Sequence, residues 1–267
     1  VWKYASASVR GTSHEKSEKP CQDFSICQVI RTNKGNEVLV AVVSDGAGSA
    51  THSEVGSELA CSLFLDEITA YLETGNRIQG LDREFYVDWI SRFQYEVKIR
   101  ADAMSLSSRE FACTFLSVVI DDSCAVFAQI GDGAIVTNSP EEEDIYSWQF
   151  WPQQGEYENT TFFATQINAS EKLEFSMLAG RVCSEVALFT DGLQRLALHY
   201  QSQSAHSPFF RPFFQALRDQ PEANSIKFMS SLKAFLESEQ VNNRTDDDKS
   251  LILATRRQDT PSSNTRQ

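Results

Sequence analysis

Five aspartate-bearing turns interrupt the apolar segments of this chain: QD at 22–23 ahead of Phe24, SDG at 44–46, GDG at 131–133, TDG at 190–192 and DDDK at 246–249. A single Asp-Gly pair is only a turn signal, because both residues favour tight backbone geometry. Five such places at segment boundaries point to chemistry. Aspartate is a short, hard oxygen ligand, and magnesium or manganese takes carboxylates, carbonyls and waters in octahedral geometry. A glycine behind the aspartate lets the backbone turn so that its own carbonyl can face the same ion. Strand ends hold ligands rigidly, which a site with two ions roughly 3.5–4 Å apart demands. The pattern is what hydrolysis by a metal-activated water requires.

Other chemistries fit less well. The chain has no GxSxG elbow and no phosphate-binding GxxxxGK loop, and Asp246–Asp248 lacks the glycine and closing glutamate of a calcium-binding EF-hand. A calcium-binding structural protein is a poor reading for the further reason that the aspartates are dispersed. His14, His52, His199 and His206 show no paired metal spacing, and the six cysteines form no CxxC pair, so reduced core thiols are expected. A formal net charge of −13 argues against a nucleic-acid footprint, which needs clustered Lys and Arg. No run of 18 apolar residues and no signal-peptide pattern is present, so the expectation is a soluble, cytoplasmic protein that uses no membrane.

The elements that must position the aspartates follow from hydrophobic period. With 267 residues and 41% hydrophobic content the chain can build a sizeable core. Val38–Ser44 reads as a strand buried on both faces and ending at Asp45, with Gly48 turning the chain away from it. Val55, Leu59, Leu63, Ile68 and Leu72 then recur at helical spacing as far as Gly75 and Asn76, and Phe85, Trp89, Phe93 and Val97 mark a second long helix toward Met104. Cys113–Asp121, Cys124–Ile130 and Ala134–Asn138 read as three strands joined by the DDS and GDG turns, hence as antiparallel neighbours. Ile145–Pro152 and Thr160–Thr165 resume β character on either side of a polar GEYEN turn, and Val186–Thr190 and Ser250–Thr255 are further strands. Leu193–Leu198, Pro208–Leu217 and Glu222–Glu239 read as helices, the last with Ile226, Met229, Leu232 and Leu236 on one face. No repeat or linker splits the chain. One domain over 1–256 with a disordered tail at 257–267 is expected, α+β in class, its sheets packed together under helices.

In order and spacing, SVRGTSHEKSEKPCQDFS, VVSDGAGSATHSEVGSELA, FACTFLSVVI, QIGDGAIV, GEYENTTFFAT, ALFTDGLQRL and RTDDDKSLILA resemble the bacterial branch of the metal-dependent type 2C serine/threonine protein phosphatases, over nearly the whole chain. The resemblance implies a four-layer αββα sandwich, two antiparallel sheets face to face with helices on both outer faces. It also implies that Asp45 bridges two Mn or Mg ions, that Gly46 lends a carbonyl to one of them, and that Asp191 and Asp247 are the other direct carboxylate ligands. Asp23 would orient metal-bound water, Asp132 would help to hold a third, weaker ion, and Thr114 would stand beside the site. The implied reaction is in-line attack on phosphoserine or phosphothreonine by a water or hydroxide shared between the ions.

Several positions depart from the family pattern. Gln22 stands where many members have Glu, and Asp248 where Asn is common. The arginine that precedes the first acidic pair in many members is absent; His14 is its nearest positional counterpart, for phosphate contact or proton transfer, with Arg10, Lys16 and Lys19 as rivals. Ala47 occupies a position where some members carry a histidine, and His52 is the other histidine nearby. Between Gly133 and Asp191 would lie the variable flap, with Glu141–Asp144 and Trp148–Trp151 as candidates for a partner surface. Two readings follow: an active phosphatase, monomeric, acting on phosphoproteins opposite a serine/threonine kinase, or a catalytically weak phosphatase-fold module that binds phosphoproteins or a kinase. Intact positions for every direct metal ligand favour the first.

Overall fold

The computed structural model describes residues 1–138, 144–155, 161–180 and 183–257. The acidic residues 141–143, most of the GEYEN turn and the tail beyond Arg257 lie outside the described residues. Two five-stranded antiparallel sheets form the centre. Sheet one runs β1 (Lys3–Val9), β12 (Lys249–Thr255), β9 (Glu185–Phe189), β6 (Ala134–Asn138) and β7 (Tyr146–Trp148). Sheet two runs β2 (Phe24–Arg31), β3 (Glu37–Ser44), β4 (Phe115–Ile120), β5 (Cys124–Ile130) and β8 (Glu174–Ala179). A two-residue ribbon, β10 (Leu198–His199) with β11 (Ser204–Ala205), stands apart.

Period-two alternation sorts each strand between two cores. In β3, Val38, Val40 and Val42 face the helices α2 (Ser53–Glu73) and α3 (Arg83–Met104), while Leu39, Ala41 and Val43 face sheet one. In β12, Leu251 and Leu253 face α6 (Ser207–Arg218) and α7 (Ile226–Leu236), while Ile252 and Ala254 face sheet two. The result is the four-layer αββα sandwich. Beneath α2 and α3, Phe64, Trp89 and Phe115 interlock, with Trp89 stacked 4.0 Å from Phe115; burying rings of this kind resists truncation by about 3–5 kcal/mol each. Short helices α1 (Thr12–Lys16), α4 (Ala169–Lys172), α5 (Gln194–Ala197) and α8 (Glu239–Asn242), with 3-10 turns at Ile78–Gly80, Ser108–Phe111 and Asp191–Leu193, complete the described elements. No helix among the described residues is long and apolar enough to cross a membrane, and all six cysteines are free.

The structure corrects four expectations. The GDG turn is not a hairpin: β5 belongs to sheet two and β6 to sheet one, so Gly131–Gly133 carries the chain across the sandwich. Gly131 makes that crossing with φ +118°, and a Cβ there would lie 2.5 Å from the Thr114 side chain. Thr161–Thr165 forms no strand, and the expected strand over Ile145–Pro152 shrinks to β7. Helix α7 begins at Ile226 rather than Glu222, because the Ser225 hydroxyl caps it by accepting the Phe228 N–H; Ile226 is therefore 75% exposed rather than on the buried face. The chain does turn away from β3 at Gly48, as expected, with an ordinary φ and room for a side chain, the nearest atom to its would-be Cβ being His14 Nε2 at 4.0 Å.

Candidate metal centre

Each sheet delivers one aspartate from a strand end and the crossing between them delivers a third. Asp45 follows β3. Its N–H donates to Thr114 Oγ1 at 2.8 Å and its carbonyl accepts the Thr114 N–H at 2.8 Å, so the residue before β4 fixes its backbone on both sides. Asp191 opens the helical turn after β9. Asp132 lies in the GDG crossing, and its carbonyl accepts from the Gln194 side chain. One carboxylate oxygen from each of Asp45, Asp132 and Asp191 lies within 4.8 Å of the other two.

Two further aspartates approach this cluster from the first and last motifs. Asp23, only 4% exposed, accepts at Oδ2 from the Thr190 hydroxyl at 2.6 Å, and that same hydroxyl oxygen accepts the Ser250 N–H at 2.9 Å. Asp247 lines one cleft with Asp132 and Asp191. Its neighbour Asp248 turns inward, where it is 2% exposed and accepts three donors: Gly11 N–H at 2.6 Å, Gln22 N–H at 2.5 Å and His14 Nδ1 at 2.8 Å. The three consecutive aspartates thus divide their work. The Asp246 carbonyl accepts from Ser13, Asp246 and Asp247 both line the cleft, and Asp248 stitches the N-terminal segment to the last motif. Close backbone approach makes this possible. A Cβ on Gly192 would sit 2.0 Å from the Asp248 carbonyl oxygen, and one on Gly46 would sit 2.6 Å from the Gln22 carbonyl oxygen.

The carboxylates disfavour one another's charge. Burial pushes Asp132 up to about 7, reinforced by Asp191, and pushes Asp191 up to about 6, reinforced by Asp247. Asp45 and Asp23 are raised well above the ordinary range, again by burial first; Asp191, Asp23 and Asp132 add to the shift at Asp45, while the Thr190 hydrogen bond opposes it at Asp23. Asp247 is raised by burial too. The Asp45 and Asp191 carboxyls come within hydrogen-bonding reach of each other, a contact that needs a proton or a cation between them. Among the described residues, Asp23 Oδ1 and Asp132 Oδ1 are buried without a hydrogen-bond partner. Hard oxygen donors left unsatisfied, converging and mutually repelling are what a divalent cation fits. The fully buried Lys249, whose ammonium donates to Asn242 Oδ1 at 2.8 Å, lies behind them; burial lowers its pKa, and Asp248, Asp23 and Asp247 oppose that shift.

Other residues singled out in the sequence are placed elsewhere. His14 is buried against Asp248, next to the site, close enough for its charge to act on Asp247. Arg10 donates to the Lys19 carbonyl and Lys19 to the Gly48 carbonyl at 2.6 Å, while Lys16 is exposed. The His52 ring stacks on Phe111 at 5.7 Å and lies 3.8 Å from Glu54. Ala47 packs with Ala50, Ala112 and Phe163 in a small apolar patch. Two contributors had escaped the sequence reading, Thr190 and Lys249, although both stand inside quoted motifs, as the T of TDG and the K of DDDK. Of the flap candidates, Trp148 and Trp151 pack edge to face at 5.7 Å, and Trp151 meets Tyr200 on the cleft wall at 5.3 Å.

The comparisons with known proteins agree with this geometry. Residues 10–237 match the family model described as Protein phosphatase 2C. The chain is 37% identical over 257 residues to Serine/threonine-protein phosphatase 3 of Escherichia coli (strain K12), covering 95% of this chain and 98% of that protein. Among solved structures, a bacterial serine phosphatase superposes with a TM-score of 0.62 at 13% identity, covering 97% of this chain and 100% of that one. Serine/threonine phosphatase Stp1 from Staphylococcus aureus gives 0.58 at 14% identity, covering 96% and 95%. The structural neighbours speak for the fold; the family model and the enterobacterial relative decide the kinship, and the chain belongs to the protein phosphatase 2C family and is a protein phosphatase.

Proposed function

We propose that this protein hydrolyses phosphoserine and phosphothreonine in phosphoproteins, using two Mn2+ or Mg2+ ions and, as a possible addition, a third. The reading rests on one observation: Asp45, Asp132 and Asp191 bring carboxylate oxygens within 4.8 Å of one another at the seam of the two sheets, in a chain of this family. Asp45, Asp191 and Asp247 would hold the ion pair together with the Gly46 carbonyl, and Asp132 the third ion. Asp23, anchored by Thr190, would orient water at the rim. Ions so held would lower the pKa of a bound water and provide a positive field for the phosphoryl oxygens. The chain itself contributes rigid placement through Thr114, Thr190 and Asp248, which leaves little reorganisation for the reaction.

To the same proposal belong a single phosphatase domain over 1–256, a monomeric state, and a cytoplasmic setting opposite a serine/threonine kinase. Pairing of β1 with β12 supports the first, and six free cysteines suit a reducing compartment. The test is phosphate release from a phosphothreonine peptide with and without manganese, beside Asp45→Asn. Turnover that stops in chelator and falls at least about 100-fold in the variant is expected. Chelator-resistant turnover or an unimpaired variant would sink the mechanism. No turnover of any phosphopeptide or aryl phosphate by metal-loaded protein would favour the phosphoprotein-binding module instead.

A further inference from the structure

Asp132, Asp191 and Asp247 line a cleft of 870 Å³, far more than a phosphoryl group fills and within the range that encloses a larger ligand. One wall is α5 with Tyr200, and the other is the turn from Asn242 to Asp247. Both walls are braced. Gln194 accepts the Tyr200 hydroxyl at 2.5 Å while its amide donates to the Asp132 carbonyl, and Asn242 is held by Lys249.

Each wall presents one arginine. Arg195 stands four residues after Asp191 and Arg244 three before Asp247. They are the only basic side chains on the cleft among the described residues, both are exposed, and neither guanidinium makes an ion pair or hydrogen bond among those residues. Arg31 pairs with Glu37, Arg92 with Glu67, and Arg83 donates to the carbonyls of Leu173 and Ser170; Arg77, Arg100 and Arg109 are unpaired among the described residues as well, but none of them lines the cleft. Arg244 does not pair even with the acidic residues that follow it in its own turn. A guanidinium left unpaired on a rigid wall beside an acidic floor is a preorganised fork for a carboxylate arriving from outside.

We propose that Arg195 and Arg244 form subsites for acidic side chains on either side of the phosphorylated residue, so that the preferred substrate is a phosphopeptide flanked by Glu or Asp. This rests on the phosphatase reading. The acidic floor is engaged by cations, so the two arginines decide which flanking sequence an anionic substrate carries. Acidic flanks meet an arginine on each wall, whereas basic flanks meet like charge there.

The test uses fluorescent peptides bearing a non-hydrolysable phosphonate mimic of phosphothreonine, flanked by Glu, Gln or Lys, titrated into the manganese-loaded protein and read by anisotropy. The wild type is expected to bind the Glu form about tenfold more tightly than the Gln form, a preference that shrinks at high salt. Arg195→Gln and Arg244→Gln should each remove part of that preference, Arg→Lys should keep most of it, and the double Arg→Glu variant should favour the Lys form. No preference in the wild type, or one that survives the double Arg→Gln change, overturns the proposal. Aryl phosphate turnover by the wild type checks the phosphatase reading separately: its absence beside an intact Glu preference would overturn that reading and support the subsites.

Discussion

Asp121 and Asp132 stand eleven residues apart, each just beyond the end of a buried strand of sheet two, yet they have opposite fates. Asp121 closes on itself. Its Oδ1 accepts the Ser123 N–H at 2.6 Å, the Ser123 hydroxyl at 2.7 Å and the Cys124 N–H at 2.9 Å, and the chain turns back into the same sheet. Asp132 leaves Oδ1 without a partner among the described residues, its carboxyl is pushed up to about 7, and the chain passes to the other sheet. What separates a turn-forming aspartate from a ligand is where its oxygens find donors. An aspartate that spends one oxygen on its own turn has fewer lone pairs to offer a cation.

Substitution breaks or sharpens that contrast. The largest effect is expected when Asp191→Asn is set beside Asp121→Asn. Metal-dependent hydrolysis of a phosphothreonine peptide should fall at least about 100-fold in the first and stay within about twofold in the second. Asp121→Asn should instead lower stability by about 1 kcal/mol in a denaturant titration. Equal losses of activity in the two variants would erase the distinction.

A smaller effect separates two glycines of one turn. Gly46→Ala drives a Cβ into the Gln22 carbonyl and the Ser53 side chain at 2.6 and 2.8 Å, and should cost about 1–3 kcal/mol together with manganese affinity. Gly48→Ala has open space and should stay within about 0.5 kcal/mol. Urea unfolding and a manganese titration of both variants measure the difference, and matching costs would show the Gln22 contact to be soft.

The smallest effect is in pH. With folded values of about 7 for Asp132 and about 6 for Asp191 against an ordinary 3.8, the native state keeps protons that the unfolded chain has already released. These groups therefore lower stability as pH rises from about 4 to about 7. In chelator, the wild-type Tm should drop by a few degrees more across that window than the Tm of Asp191→Asn. Parallel curves would mean that the carboxylates do not repel as their positions imply.

Strong local periodicity made much of the fold legible. The run VLVAVVS and the 21- and 22-residue helices that follow it were plain because each carries enough apolar residues at one period. Strand β1, KYASASV, escaped notice because small and polar residues fill it, and β8 because its faces are only half-buried. The GDG crossing was misread for a deeper reason: a turn signal reports that the chain bends, and partner choice beyond the bend is tertiary. The aspartates of the site were legible as a set through their repeated placement at strand ends. That Asp248 turns inward while Asp246 and Asp247 line the cleft was set by contacts from Gly11, His14, Gln22 and Gly192, all remote in sequence.

The strand order of sheet one has a consequence for how the protein is made. Strand β12 lies between β1 and β9, although it is the last described strand to leave the ribosome. Until it emerges, sheet one has a vacant interior lane, and the Thr190 hydroxyl lacks the Ser250 amide that helps to aim it. Sheet two with α2 and α3 is contiguous in sequence apart from β8, so it can condense earlier. Nascent chains arrested ahead of Lys249 should therefore resist protease across α2 and α3 while β1 and β9 are cut, and ion binding should appear only on release. Protection of β9 in such arrested chains would show that sheet one orders without β12.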